Sequence, residues 1–268
     1  MAFPDKNYVL GSGELYFAPF AANSRVPSGG QEYFGNTTEI NLTVESEMLD
    51  HYDTDHGIRS KDDSVLLEKN MSGSFITDNI SPGNISKWFT GQASVVTQAS
   101  ALATAETFSS AKRGTRYQLG RSTQNPSGLR GLTNMSAVMT ATPTNVTLVE
   151  GKDIRFDPDT GSFTILPTSL VVADDTEEVV VTYDVSATSY NRIVAGSEAN
   201  LEGELFYKAI NGKGLNFDYY FPYVQLAPDG DYALKGDDWQ QLGFTFQALQ
   251  RDNDTAVVYT NGRAGVGV

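Results

Sequence analysis

Apolar and polar positions alternate along much of this chain with a period of two residues. Residues 39–49 (EINLTVESEML) and 65–75 (VLLEKNMSGSF) both follow this pattern. Such a period is typical of a strand with one buried and one wet face, because successive side chains point to opposite sides. The segment between them, 50–64, is rich in Asp, so we predict a hairpin with an unusually long loop. The predicted apolar faces hold Ile40, Leu42, Val44 and Met48 in the first strand and Val65, Leu67, Met71 and Phe75 in the second.

The same alternation returns late in the chain, in residues 198–209 and 241–248, with a tight turn at 211–214 (NGKG). On several of these strands the polar face carries carboxylates or amides and no basic residue. An ordinary surface sheet interleaves both signs of charge, and strand register would hold such a one-sided pattern in place. The acidic residues of this predicted face are Glu39, Glu45, Glu47, Glu68, Glu198, Glu202 and Glu204.

One short helix is predicted within residues 78–91 (DNISPGNISKWFTG). Ser81 is a suitable N-cap, Pro82 follows it at the first helical position, and Gly91 is a stop signal. We therefore expect a helix over about 81–91 whose apolar face covers one side of a sheet. The aromatic residues expected to anchor the core are Trp88, Phe89, Trp239, Phe244 and Phe246.

The middle of the chain has a different composition. Residues 92–107 are small and weakly patterned, which indicates a linker or a strand with loose ends. Short strands separated by Gly, Pro and Asp turns then follow, and they predict a compact β module of about 80 residues. The expected organisation is a first part at 1–107, an inserted module at 108–190, and a second part with a C-terminal arm at 191–268. The predicted fold class is mainly β.

Composition excludes several kinds of chemistry. The chain has no cysteine, which removes disulfides and cysteine-based metal or nucleophile sites. Its 33 acidic against 19 basic residues oppose tight binding to nucleic acid, although a surface past which DNA slides without sticking is compatible with them. No apolar run is long enough to span a membrane, and the N-terminus lacks signal-peptide features, so we expect a bacterial-type cytoplasm.

Both histidines, His51 and His56, lie in the acidic segment 47–63. Their spacing of five puts them on opposite faces of a strand, and the order of nearby carboxylates is not that of a Ca²⁺ loop. No serine lies in a nucleophile motif. We therefore expect no catalytic residue, no metal site and no cofactor, and interpret the segment as a solvated acidic loop. Whether that loop holds a cation stays open.

The order of these elements resembles the major tail tube proteins of long-tailed, non-contractile bacteriophages. The resemblance covers about 1–100 and 190–260. It begins with GSGELYFAPF, continues through the long-looped hairpin and the helix after TDNISPGN, and closes with EGELFYKAINGKGLNFDYYFPYVQLAPDGDYALKGDDWQQLGFTFQALQRD. The stretch most similar to the family is GDDWQQLGFTFQALQRD. Residues 108–190 then resemble the additional Ig-like β module that family members carry on the outside of the tube.

The resemblance implies a tail-tube β-sandwich that forms hexameric rings, in which each copy gives four strands to a closed inner β-barrel. Stacked rings would hold the tape-measure protein and later pass double-stranded DNA into the host, and the tube would end at tail terminator and tail-tip proteins. The protein would belong to the virion tail and be assembled in the host cytoplasm. The seven glutamates of the predicted acidic face would line the lumen. The ring-stacking loop would comprise Asp50, His51, Asp53, Asp55, His56, Arg59, Lys61, Asp62 and Asp63.

Two other functions compete with this one. A monomeric β-sandwich that binds a cell surface or a glycan would suit the inserted module alone. A glycosidase would need two carboxylates about 5–10 Å apart in a cleft, and the sequence gives no support for one.

Overall fold

The computed structural model describes residues 8–55, 57–141, 144–173, 176–197 and 200–263. The described chain is mainly β, which confirms the predicted fold class, and no helix in these ranges has the length and apolarity needed to cross a membrane. In chain order the elements are β1 (Gly13–Pro19), β2 (Glu32–Tyr33), β3 (Thr37–Asp53), β4 (Ser60–Thr77), α1 (Pro82–Trp88), β5 (Gln92–Gln98), β6 (Ala101–Phe108), β7 (Arg116–Gln118), β8 (Leu132–Met139), β9 (Val146–Thr147), β10 (Ile154–Asp157), β11 (Ser162–Ile165), β12 (Val179–Val185), β13 (Thr188–Val194), β14 (Leu201–Ala209), β15 (Phe217–Asp229), β16 (Leu242–Ala248) and β17 (Tyr259–Gly262).

The chain divides into two compact units. Unit 1 comprises residues 1–93 and 193–268, and unit 2 comprises residues 94–192. Unit 1 contains an eight-stranded antiparallel sheet in the order β2-β1-β14-β15-β16-β4-β3, with β17 beside β15. One face of that sheet is covered by a core rich in phenylalanine. The fully or nearly fully buried members are Leu15, Phe17, Phe34, Phe75, Leu205, Phe221, Val224, Leu226, Leu242, Phe244 and Phe246.

Aromatic rings fill the centre of this core. Phe75 and Phe244 are cross-strand partners on β4 and β16, and their rings stack with centroids 5.0 Å apart. Phe34 meets Phe75 edge-on at 4.8 Å. Cross-strand aromatic pairs stabilise a sheet beyond the area they bury, so this group fixes the register of β16 against β4.

The helix is shorter than predicted. It begins at Pro82 after the Ser81 cap, whose hydroxyl accepts a hydrogen bond from the Asn84 N–H at 3.1 Å. It ends at Trp88, because Thr90 takes a left-handed conformation with φ of 45°. The buried Asn84 side chain donates to the Phe34 carbonyl at 2.7 Å and thereby ties the helix to the strand region it covers.

Unit 2 has its own core and its own sheets. These are β6-β12-β8-β9, β10-β11-β7, and the pair β13-β5 formed by the strands at its two ends. Residues 92–107, predicted to be either a linker or a strand with loose ends, form β5 and most of β6, and β6 pairs with β12. The compact module therefore spans 94–192 and not 108–190. Its buried residues include Leu119, Leu132, Ile154, Phe163, Ile165, Val179, Val181 and Tyr183.

Replacing Phe244 by alanine tests the unit 1 core. Because this ring is fully buried against Phe75, Phe244→Ala is expected to lower the free energy of unfolding by about 3–5 kcal/mol. Urea denaturation of wild type and variant measures the difference. Phe89→Ala is the control, because that ring is 38% exposed and its removal leaves a smaller void. Equal losses for the two variants would contradict the assigned core.

Candidate functional site

Strands β3 and β4 extend far beyond the rest of the sheet. The last residue of β16 that pairs with β4 is Ala248, opposite Met71, and Met71 in turn pairs with Val44 on β3. Residues 45–53 and 60–70 therefore form a two-stranded extension of the sheet, which we call the arm. The predicted loop at 50–64 is wrong, because strand pairing continues to Asp53 and resumes at Ser60, so that the connection is much shorter.

Polar side chains stabilise the end of the arm within one chain. Lys61 Nζ lies 2.6 Å from Asp50 Oδ1, and His51 Nδ1 lies 2.6 Å from Asp62 Oδ1. The hydrogen bond from Lys61 lowers the pKa of Asp50, and the one from His51 lowers the pKa of Asp62. The Arg59 guanidinium lies over the Tyr52 ring at 4.9 Å. Arg59 and Lys61, expected from the sequence to pair across a ring interface, thus have partners in their own chain.

The other residues predicted for this segment also make local contacts or lie outside the description. Asp53 Oδ1 accepts the Asp55 N–H at 2.9 Å, and Asp63 Oδ1 accepts the Ser64 N–H at 2.7 Å. His56 is not among the described residues. Over the ranges that the structure describes, no three His, Asp or Glu side chains come together in an arrangement suited to a metal ion.

Sheet register places the described glutamates of the predicted acidic face on one side. Cross-strand partners share a face, and one row of partners crosses five strands: Glu202, Gln225, Gln247, Ser72 and Thr43. This face is opposite the phenylalanine core. We call it the acidic face, and its glutamates are Glu39, Glu45, Glu47, Glu68, Glu202 and Glu204.

The six carboxylates have different surroundings. Glu204 is buried in the single chain and pairs with Arg251 at 2.8 Å, and its position on a lumen wall stays a prediction. Burial, together with a hydrogen bond to Glu204, raises the pKa of Tyr220 to about 12. Glu202 borders an open cavity of about 820 Å³ that Arg25 also lines. Glu198 lies outside the described residues.

The four glutamates on β3 and β4 are exposed, and in the described part of the chain none pairs with a cation. Glu39 accepts from Asn41 at 2.6 Å. Glu47 and Glu68 are direct cross-strand partners. Like charges directly opposite one another destabilise a strand pair. This placement weakens the isolated hairpin, so it does not contribute to the stability of the single chain.

An apolar belt surrounds the arm beyond these carboxylates. Met48 pairs with Leu66 on the core side, whereas Leu49 pairs with Val65 on the acidic side. A bulge lies between the Glu47–Glu68 pair and the Met48–Leu66 pair. It leaves Leu67 as an extra residue on β4, so the β4 residues on the far side of the bulge occupy the opposite faces from those that strict alternation predicts. The prediction that Val65 shares a face with Phe75 is therefore wrong. The apolar belt, defined as Met48, Leu49, Val65, Leu66 and Leu67, has side chains 51–61% exposed.

Strand β3 is also a long open edge. It is the last strand of the sheet and spans 17 residues, and within the described ranges no further strand pairs with it. An open edge presents unpaired N–H and C=O groups that can accept a strand from another chain. The opposite edge strand, β2, has only two residues. The exposed pairing capacity of unit 1 is therefore concentrated on β3 and on residues 60–70 of β4, which β16 does not reach.

The predicted core anchors separate into two groups. Phe244 and Phe246 are buried, and Trp88 is partly buried in the same core. Phe89 is 38% exposed, and Trp239 is 91% exposed, so the prediction of Trp239 as a core anchor is wrong. The sequence contains a signal for this outcome, because Trp239 follows Asp237 and Asp238 and the alternation of β16 begins only at Leu242.

A family model described as "Protein of unknown function UCP028589" matches residues 8–259. The match spans most of the chain, and the chain belongs to this family. No curated protein matches the sequence. The family's description names no activity.

Removing Lys61 tests the ion pair at the end of the arm. Lys61→Met is expected to raise the pKa of Asp50 toward its ordinary value of 3.8, because the lysine is the main cause of the depression. A depressed carboxyl pKa stabilises the native arm fully above the ordinary value, and this stabilisation is lost as pH falls through the native value. Carboxyl-carbon NMR titration measures the change. Lys69→Met, on the same strand, should leave Asp50 unchanged; an equal shift would refute the pairing.

Proposed function

We propose that this member of the family is a structural subunit that assembles into rings, and that the rings stack into a tube with the acidic face toward the bore. The observation that carries the proposal is the arm, whose apolar belt is exposed on both faces in the single chain. In function, the tube would be that of a phage tail, as the resemblance of the sequence suggests. It would hold a tape-measure protein and then pass double-stranded DNA.

The open edge of β3 supports association between copies. A strand edge of 17 residues that is open to water can pair with a strand of another copy. When such edges pair around a closed ring, no open edge remains. A head-to-tail contact of this kind uses two different surfaces of each copy and closes a ring when its rotation closes; stacking the rings along an axis takes a second head-to-tail contact. We therefore expect the sheets of unit 1 from several copies to join edge to edge into a closed barrel.

The apolar belt supports enclosure of the arm by neighbouring copies. Strands that are apolar on both faces are typical of sheets covered on both sides. Burying the remaining half of five such side chains is worth about 5 kcal/mol per copy, taking roughly 1 kcal/mol for each. Exposed ion pairs contribute only about 0–1 kcal/mol each. The belt, more than the charged end of the arm, would therefore drive association, which revises the role that the sequence suggested for Arg59 and Lys61.

The charge distribution supports an acidic bore. Unit 1 carries 23 acidic against 11 basic residues, whereas unit 2 carries 10 against 8. The net negative charge therefore belongs almost entirely to the unit with the large sheet. Carboxylates on a bore wall repel phosphates over a screening length of about 8 Å at physiological salt. DNA would move through such a bore without binding. The repulsion between the Glu47 and Glu68 carboxylates would be the loss of hairpin stability that accompanies the placement of charge on the bore wall.

Polar substitutions in the apolar belt test the assembly. Leu49→Asn with Val65→Asn places amides at one cross-strand pair of the belt and should leave a folded monomer that forms no tubes. The matched control is Thr43→Asn with Ser72→Asn, a cross-strand pair on the same face that is already polar. Light scattering and negative-stain electron microscopy report the outcome. A wild-type protein that stays monomeric at high concentration would refute the proposal, and tubes from the belt variant would refute the role of the belt.

Neutralising the exposed glutamates tests the bore. Tubes of Glu45→Gln, Glu47→Gln and Glu68→Gln should form normally but retain a fluorescent DNA duplex or heparin that wild-type tubes exclude, because repulsion is lost. The control removes the same charge elsewhere, with Glu150→Gln, Asp159→Asn and Asp254→Asn, all exposed. Co-sedimentation at several salt concentrations measures retention. Equal retention by both triple variants would assign the effect to net charge and contradict an acidic bore.

A further inference from the structure

Trp239 is the most exposed large apolar side chain of the described chain, at 91%. It lies between β15 and β16, next to Asp237 and Asp238. An indole exposes a large apolar area, and tryptophan is enriched among the residues that contribute most to protein interfaces. Leu234, in the same segment, is also 75% exposed.

The segment that carries Trp239 is braced. The Tyr232 hydroxyl donates to Gln240 Oε1 at 3.1 Å, and Gln240 Nε2 donates to the Leu234 carbonyl at 3.3 Å. The Tyr232 ring packs on Trp88, with centroids 5.8 Å apart. Trp239 is therefore held outward by neighbours that are anchored to the core, and little conformational freedom would be lost when it binds.

An apolar pocket of about 290 Å³ opens on the core side of the same sheet. Leu42, Leu205 and Phe246 are among its lining residues, together with Tyr207 and Tyr219. Phe246 lies four residues along β16 from Leu242, the strand residue nearest Trp239. The pocket and the tryptophan thus lie toward opposite ends of one strand.

The polar groups around the two features are complementary. Buried indole N–H groups need an acceptor, and the hydroxyls of Tyr207 and Tyr219 have no hydrogen-bond partner in the part of the chain that the structure describes. Lys69 is the cross-strand partner of Ser46, which lies four residues beyond Leu42 on the same face of β3. Lys69 makes no ion pair with any described residue. The carboxylates of Asp237 and Asp238 are likewise unpaired among the described residues, and they would arrive beside that lysine.

We infer that Trp239 of one copy inserts into the apolar pocket of a second copy. The inference rests on the proposed function, because it needs a neighbouring copy of this chain. A side chain at one end of the sheet and a pocket toward the other make a head-to-tail contact, which repeats along an axis. The indole N–H would donate to a tyrosine hydroxyl, and Asp237 or Asp238 would face Lys69.

Fluorescence of Trp239 during assembly tests the inference directly. The chain has two tryptophans, so a Trp88→Phe background leaves Trp239 as the only reporter. On assembly its emission should shift to shorter wavelength, and quenching by acrylamide should fall at least about fivefold, because a buried indole is shielded. If tubes form and Trp239 remains as quenchable as in dilute monomer, the inference fails while the proposed function stands. If the wild-type chain forms no tubes, both fail.

Variants locate the contact. Trp239→Ala should raise the protein concentration needed for assembly at least about 30-fold, the loss expected for an interface hot spot. Leu42→Phe, which puts a larger side chain into the pocket lining without adding a tryptophan, should act similarly and also leave Trp239 exposed. Leu170→Ala, at a leucine of unit 2 that is 80% exposed, is the matched control and should change assembly less than about twofold. A tube in which Trp239 becomes protected despite Leu42→Phe would assign Trp239 to a different surface. If the pocket became accessible to solvent only when residues 2–7 are deleted, that segment and not Trp239 would be its occupant. Either of these two results would overturn the inference.

Discussion

Cross-strand register in the eight-stranded sheet is the constraint on which the rest of unit 1 depends. Because side chains alternate strictly along a strand, a slip by one residue would exchange the two faces. The stacked rings of Phe75 and Phe244 oppose such a slip on the core side. The same pairing places Ser72 beside Gln247 and Thr43, and through them aligns the glutamates of β3 and β14. Hydrophobic packing on one face therefore organises charge on the other.

The arm shows how local departures from that register create a new surface. One extra residue at Leu67 changes which face the following side chains occupy, and a bulge of this kind also increases the twist of a strand pair. Below the bulge the hairpin has an apolar and an acidic side. Beyond it both sides are apolar, and near the end both are polar again. A single hairpin thus carries three zones, each suited to a different environment.

Much of this organisation could be predicted from the sequence, and the failures have physical causes. Alternation in β3, β4, β14 and β16 gave the strands and their acidic side, and Ser81 with Pro82 located the start of the helix. Alternation contains no information about which partner covers an apolar face, so Leu42 and Val44 were expected to be buried although they are 44% and 53% exposed. The strand content of 50–64 was missed because strand propensity is low for Asp, whereas pairing with the opposite strand determines the conformation here. The bulge at Leu67 and the outward position of Trp239 depend on contacts between residues that are distant in sequence. Alternation of apolar and polar residues along one segment contains no information about such contacts.

The pairing of β5 with β13 has a consequence for how this chain can change. These strands carry the backbone into and out of unit 2, and because they lie side by side the two points of departure are neighbours in space. An inserted domain whose two ends are adjacent requires only that the two attachment points in the surrounding unit lie equally close together. Evolution or an engineer can therefore exchange the guest for another module with close termini, while the strand order of the host sheet stays as it is.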